Sequence, residues 1–283
     1  TGFPSNATLA QALRPYPHFS SGLGPQFAPL GTTSYNSLQA KVTKRFSHGI
    51  DFTYAFTYQK SLVFGSTIND VWNRDANKQV LAAEDQPLQS VMAFTYTVPK
   101  MKGINGVLAY ALSDWQIGSI LKYASGFPIP VPGAQNNLAT ALFQSTRANR
   151  VPGVPLFLGR TDLNSHIDPR TDFVLNPAAW SDPAPGQWGV SAPFYSDYRY
   201  QRRPNEAVNF GRNFRVGERV SFQARLEFTN ILNRAQAVNP VATNAKATQT
   251  SANGVTTGGF GWINYTQTGQ SPRQGQLVLR ATF

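Results

Sequence analysis

The sequence has no cysteine, which excludes disulfides and thiolate metal sites. It has no apolar run of about 18 residues or more, so it holds no helical membrane span. Acidic residues are scarce: 14 Asp and Glu face 25 Lys and Arg, for a net charge of +11. The basic residues nevertheless form no run longer than two and no basic helix. Lys41, Lys44, Arg45, Lys60, Arg212, Arg225 and Arg280 are scattered along the chain. Nucleic acid is therefore not an expected partner, and a basic surface facing anionic lipid headgroups explains the charge equally well. Only three histidines occur, His18, His48 and His166. None stands in a zinc spacing or beside a recognisable Ser/acid set. The expectation is a protein that is not an enzyme and carries no cofactor and no metal.

Aromatic residues are plentiful, with 19 Phe and 11 Tyr among 283 residues, which favours strands. Hydrophobic residues make up 41%, too many for a disordered chain. The mean hydropathy of −0.30 does not exclude a transmembrane barrel, because alternation hides an apolar face from an average.

The alternation is clearest at the C-terminus. Gly275, Leu277, Leu279, Ala281 and Phe283 form one set, and Gln274, Gln276, Val278, Arg280 and Thr282 the other. Strict period two means a strand with two chemically different faces. Earlier stretches repeat the pattern. From near Tyr35, Leu38, Ala40, Val42 and Phe46 oppose Gln39, Lys41, Thr43 and Arg45. Phe52, Tyr54, Phe56 and Tyr58 follow on one face of a second strand. Met92, Phe94, Tyr96 and Val98 mark a third, and Trp115, Ile117, Leu121 and Tyr123 a fourth, blurred at Ser119 and Ile120. Val208, Phe210 and Phe214 mark a fifth. In the sixth, Val220, Phe222, Ala224, Leu226 and Phe228 oppose Ser221, Gln223, Arg225, Glu227 and Thr229. A short extra strand or lead-in is expected at Phe260-Gly261-Trp262-Ile263.

Seven long strands emerge, and the links between them alternate in length. Those at 47–49, 99 to about 110 and 215–219 are short, and those at 65–86, 129–202 and 235–272 are long. Outer-membrane barrels place short turns on the periplasmic side and long loops outside. The predicted fold is therefore all-β: an antiparallel transmembrane β-barrel segment with long extracellular loops. An odd strand count implies the C-terminal portion of a larger barrel, an incomplete wall forming a curved open sheet over residues 1–283. Within it, 129–202 is expected as a long extracellular loop and the polar stretch 65–86, with Asp70, Asp75, Glu84 and Asp85, as a solvated loop rather than a cation site.

Six motifs, in order, resemble one family. Tyr35-Asn36-Ser37-Leu38-Gln39 with Lys44-Arg45-Phe46-Ser47-His48-Gly49 resembles a hairpin of TonB-dependent outer-membrane receptors of the Oar-like group, which carry a carboxypeptidase-regulatory-like domain. Asp114-Trp115-Gln116-Ile117 with Ser125-Gly126-Phe127-Pro128, Asn176-Pro177-Ala178-Ala179-Trp180, and Phe210-Gly211-Arg212-Asn213-Phe214 are similar to further segments of that group. So are Arg225 to Asn233 and the closing Pro272 to Phe283. The resemblance covers about residues 12 to 283. It implies the last third of a barrel of about 22 strands around a plug, with uptake energised through TonB. No stretch here resembles the plug, the TonB box or the regulatory-like domain. The implied setting is the bacterial outer membrane. The implied partners are its lipid, the rest of the barrel and its plug, TonB, the barrel assembly machinery and an unidentified substrate.

The same reading supplies candidate residues. Phe283 resembles the C-terminal aromatic of the assembly signal. Gln223, Arg225, Glu227 and Arg280 are expected on the lumen face, paired across strands as a structural network. Trp180 and Trp188, in the long loop, are the candidate ligand contacts, whereas Trp115 suits an interfacial girdle. Energised uptake or surface binding is the leading function. A passive porin-like, structural or adhesive barrel and a soluble β-rich binding module are the alternatives.

Overall fold

The computed structural model describes residues 12, 16–18, 31–64, 69–70, 73, 75, 78–99, 106–136, 145–216 and 220–283. The alternating stretches are strands: β1 (Thr32–Ser47), β2 (Ile50–Phe64), β4 (Leu88–Thr97), β5 (Trp115–Ala124), β8 (Asn205–Val216), β9 (Val220–Thr229) and β12 (Gln274–Thr282). Among the described residues, five short strands, β3 (Val80–Leu81), β6 (Asn149–Arg150), β7 (Trp180–Ser181), β10 (Thr250–Ala252) and β11 (Val255–Gly258), the α-helix α1 (Gly106–Leu112) and a 3-10 turn (Pro177–Ala179) lie between them. The long strands form one sheet in the order β1-β2-β4-β5-β8-β9-β12, with β3 added beside β2. Every pairing is antiparallel. Each long strand thus neighbours the next long strand in the chain, as in an up-and-down barrel wall. The sheet is open, and among the described residues β1 and β12 each pair on one side only.

The register aligns the apolar sets into continuous rows, because directly paired residues point to the same face. One row runs Ile50, Tyr96, Ile117, Phe210, Leu226, Leu277 across six strands. The next runs Phe52, Phe94, Ser119, Val208, Phe228 and Gly275. Ser119 therefore belongs to the apolar face and Ile120 to the other, where it sits between Ala93 and Ala207. The ten-residue strands β4, β5 and β9 are about 34 Å long at about 3.4 Å per residue. Tilted by about 40°, they match the apolar band of about 25 Å of an outer-membrane barrel. β1, with 16 residues, and β2, with 15, project well beyond that band at the loop end.

This wall has no hydrophobic core of its own. Leu277 and Leu279, paired with Leu226 and Ala224, are 62% and 72% exposed. That exposure is unfavourable in water and expected against lipid. The polar set lies on the other face. There Arg225 pairs with Glu227 at 2.5 Å, two residues along the same strand rather than across the ladder as expected. Gln276 on β12 donates to Glu227, and Arg280 stands opposite Gln223.

The short-turn end is built by local chemistry. β1 and β2 are joined by His48 and Gly49, at φ 53° and 81°, the two left-handed positions of a type I′ hairpin turn. A Cβ at Gly49 would lie 2.4 Å from the Thr97 carbonyl oxygen, so only glycine fits there. The short link expected after β4 contains α1. Trp115 Nε1 donates to the Ala111 carbonyl at the end of α1 (2.9 Å), and Arg212 does so at 3.2 Å. Trp115 stacks on Phe210 at 4.5 Å, and the Arg212 guanidinium lies 4.7 Å from the Phe214 ring. The girdle place expected for Trp115 is thus a packed aromatic–guanidinium cluster on the apolar face. The turn at 217–219 falls outside the described residues.

The loop end holds the core instead. Ile129, Phe157, Leu163, Val174, Leu175, Trp180, Tyr198, Phe260 and Ile263 are buried together. All come from the two long connections after β5 and after β9, which fold as one cap. No strand forms at 260–263, where the chain turns. The hairpin lies just before, in β10 and β11 around Asn253-Gly254 at φ 51° and 76°.

Candidate ligand site in the loop cap

Two buried polar staples fasten the cap to the wall. Asp85, 1% exposed, accepts from the Ser61 backbone N–H of β2 at 2.8 Å and from Arg199 Nη2 at 2.6 Å. Arg199 also donates to the carbonyls of Asp85 and Gly126. Asn69 accepts from Thr146 Oγ1 at 2.9 Å and the Arg147 N–H at 2.8 Å, and donates to the Gly189 carbonyl. The stretch expected to be a solvated loop therefore reaches into the cap. A polar group this deep is held there because each of its hydrogen bonds is satisfied by protein. Arg147, partly buried, donates to the Ser191 carbonyl at 3.1 Å, and burial pulls its guanidinium down to about 10.

Trp180, a predicted ligand contact, is 3% exposed. Its ring packs at 5.4 Å from Tyr198 and 6.4 Å from Tyr195, so its faces are used within the cap. Trp188 is half-buried at the cap surface. Phe283 follows β12, is 98% exposed and lies outside the ladder. Burial, with the nearby Tyr200 adding to it, pushes the Tyr198 phenol far above its ordinary value. The folded cap then keeps that proton after the unfolded chain has lost it. Its contribution is intact below a pH of about 10 and is lost as pH rises beyond it. Arg147 works in the opposite sense over the same range, so a single exchange isolates the phenol. Tyr198→Phe is expected to leave the cap more resistant to protease than the native chain above pH ~10, with little difference at neutral pH. An alkaline proteolysis profile unmoved by the exchange would contradict this.

Beneath the cap, at the loop end of the sheet, lies a cavity of about 720 Å³. Its floor is Phe56, Ser90 and Tyr123, register partners across β2, β4 and β5 on the apolar face. Its other side is Asn164, Gln201, Arg202, Arg234, Gln236 and Gln270 from the cap. Glu206, buried at the start of β8, accepts from the Tyr123 hydroxyl at 3.0 Å and from Arg234 Nε at 2.9 Å. Its hydrogen bond and charge raise the Arg234 guanidinium above its ordinary value. Asp162 is held below the usual carboxylate range by hydrogen bonds from Asn164, with Arg202 adding to the effect. The Arg202 backbone N–H donates to Asn164 Oδ1 and its carbonyl accepts from Gln236, but among the described residues its guanidinium makes no hydrogen bond. Among the described residues no carboxylate lines the cavity. Sequence reasoning put Tyr123 on the apolar face of the fourth strand without a site role and singled out neither Arg202 nor Arg234. The doublet Arg202-Arg203 was visible, yet nothing local says that 78 or more residues of intervening chain bring it onto Tyr123.

Among the described residues no group of three His, Asp or Glu is placed to hold a metal, and no helix is long and apolar enough to cross a membrane. A family model described as an outer membrane beta barrel domain matches residues 2–276. No curated protein matches the chain, and no solved structure does.

Proposed function

The chain belongs to the family of outer membrane beta barrel domains, and from that premise we propose that it forms the wall and external cap of an energised receptor of the TonB-dependent, Oar-like kind. Its place is the bacterial outer membrane. The observation that carries the finer reading is the cap: two connections with a shared buried core, stapled to the wall through Asp85 and Arg199. A channel that only leaks solutes has no need of so large an ordered outer surface. The ordered series of six Oar-like motifs supports the same reading.

In this proposal the outer surface of the cap, with Trp188, meets the substrate. Gln223, Arg225, Glu227 and Arg280 face the lumen and brace a plug supplied by the rest of the barrel. Phe283, free of the ladder, is read by the assembly machinery. The test is retention of the full-length, detergent-solubilised protein on immobilised periplasmic domain of TonB. Saturable retention is expected. Flow-through equal to that of a porin control would replace this reading by a passive, structural or adhesive barrel.

A further inference from the structure

The cavity under the cap has its floor on the face of the wall assigned to lipid, with Gln89 and Ala124 of the other face also lining it. Its floor residues Phe56, Ser90 and Tyr123 belong to the same face as Leu121, Met92 and Phe94. The level is also fixed. Glu206 stands on this face, in the row with Tyr54, Met92 and Leu121, and carries its charge paired with Arg234. An ion pair on a lipid-facing surface is tolerated at headgroup depth and not in hydrocarbon. The cavity therefore lies where the apolar band meets the polar surface of the outer leaflet.

Its chemistry is that of an anion site with hydroxyl recognition. Glu206 holds Arg234 through Nε alone, so the terminal nitrogens of Arg234 have no partner among the described residues. The Arg202 guanidinium makes no hydrogen bond among the described residues, although the Asp162 carboxylate is within its electrostatic reach. Two guanidinium forks without a lining carboxylate suit a phosphate. Gln270 adds an independent sign: its Oε1 is buried in the cavity wall with no hydrogen-bond partner among the described residues. A buried acceptor left open is costly and is satisfied by a ligand hydroxyl. Phe56 and Leu88 offer apolar surface beside these groups, where the first methylenes of an acyl chain would lie.

We propose that this cavity binds the headgroup of a phosphorylated glycolipid of the outer leaflet, with phosphate on Arg202 and Arg234 and a sugar hydroxyl on Gln270. The site fastens the cap to the membrane surface and lies off any path through the barrel, so it stands whether or not TonB drives the protein. The test uses the full-length protein in detergent micelles and native mass spectrometry with three probes: lipid A, its dephosphorylated form and inorganic pyrophosphate. Lipid A is expected to bind. Its affinity should fall at least tenfold with Arg202→Gln and several-fold with Gln270→Leu, and by an intermediate amount with Arg202→Lys, which keeps the charge but loses the fork. Arg170→Gln, whose guanidinium lies over Tyr265 elsewhere on the cap, should leave it unchanged. Dephosphorylated lipid should bind weakly. Equal binding by the native protein and Arg202→Gln would overturn the site. Pyrophosphate binding as tightly as lipid A would make it a free-anion site and overturn the lipid.

Discussion

Replacing Leu226 with arginine is expected to destabilise insertion into lipid vesicles by about 2 to 4 kcal/mol, the cost of a cation on the lipid face near the midplane. Leu226 lies within β9, 41% exposed, between Phe210 on β8 and Leu277 on β12. Its whole row is apolar, so the introduced guanidinium finds no partner within reach across the ladder. At a tenfold change per about 1.4 kcal/mol, the folded-to-unfolded ratio from a urea titration should fall between about thirtyfold and a thousandfold. Gln223→Arg lies on the same strand, on the face shared by Arg225 and Glu227, opposite Asn213 and Arg280. There the new charge meets polar surroundings, and the change should be mild. Equal behaviour of the two variants would show that the faces are the reverse of those assigned.

The second large effect concerns the cap. Asp85→Ala removes the carboxylate that joins Ser61 of the wall to Arg199 of the cap. It leaves an arginine and a backbone N–H buried without their acceptor. Both side chains of the pair are well shielded, at 2% and 16% exposure, so the cost of removing one partner from a buried pair applies, about 3 to 5 kcal/mol. The expected result is local opening of the cap with the wall still inserted. Native-state proteolysis of 125–204 should quicken by between about a hundredfold and a few thousandfold, given about 1.4 kcal/mol per factor of ten. The double variant Asp85→Ala/Arg199→Met should recover part of the loss, since no charge is then left unpaired. A cleavage rate for Asp85→Ala equal to that of the native chain would show that the cap does not depend on this staple.

The strands were legible because their signal is local. Phe52, Tyr54, Phe56 and Tyr58 declare a face within seven residues, and the antiparallel pairings then put like faces side by side. The turn at His48-Gly49 was legible for the same reason, since left-handed backbone favours glycine. Asn253-Gly254 carries an equally strong hairpin signal, and the expectation of a strand at Phe260 to Ile263 passed over it. Phe260 and Ile263 of that stretch belong instead to the buried core of the cap, and Trp262 is half-buried beside them. α1 has no acidic residue in its first turn, no basic residue in its last and only seven residues, too short for periodicity to reveal it.

The sequence by itself therefore determined the wall: number of long strands, faces, order of short turns and long loops, and with them the outer membrane. Period-two alternation encodes those features residue by residue, and lipid on one side removes the need for a distant partner. Only the tertiary structure decided what the loops become. A core made of Ile129, Trp180, Tyr198 and Phe260, a staple between Asp85 and Arg199, and a cavity joining Tyr123 to Arg202 and Arg234 all depend on contacts between segments far apart in the chain. No local pattern marks such contacts, because each exists only once the wall has fixed where its loops begin and end.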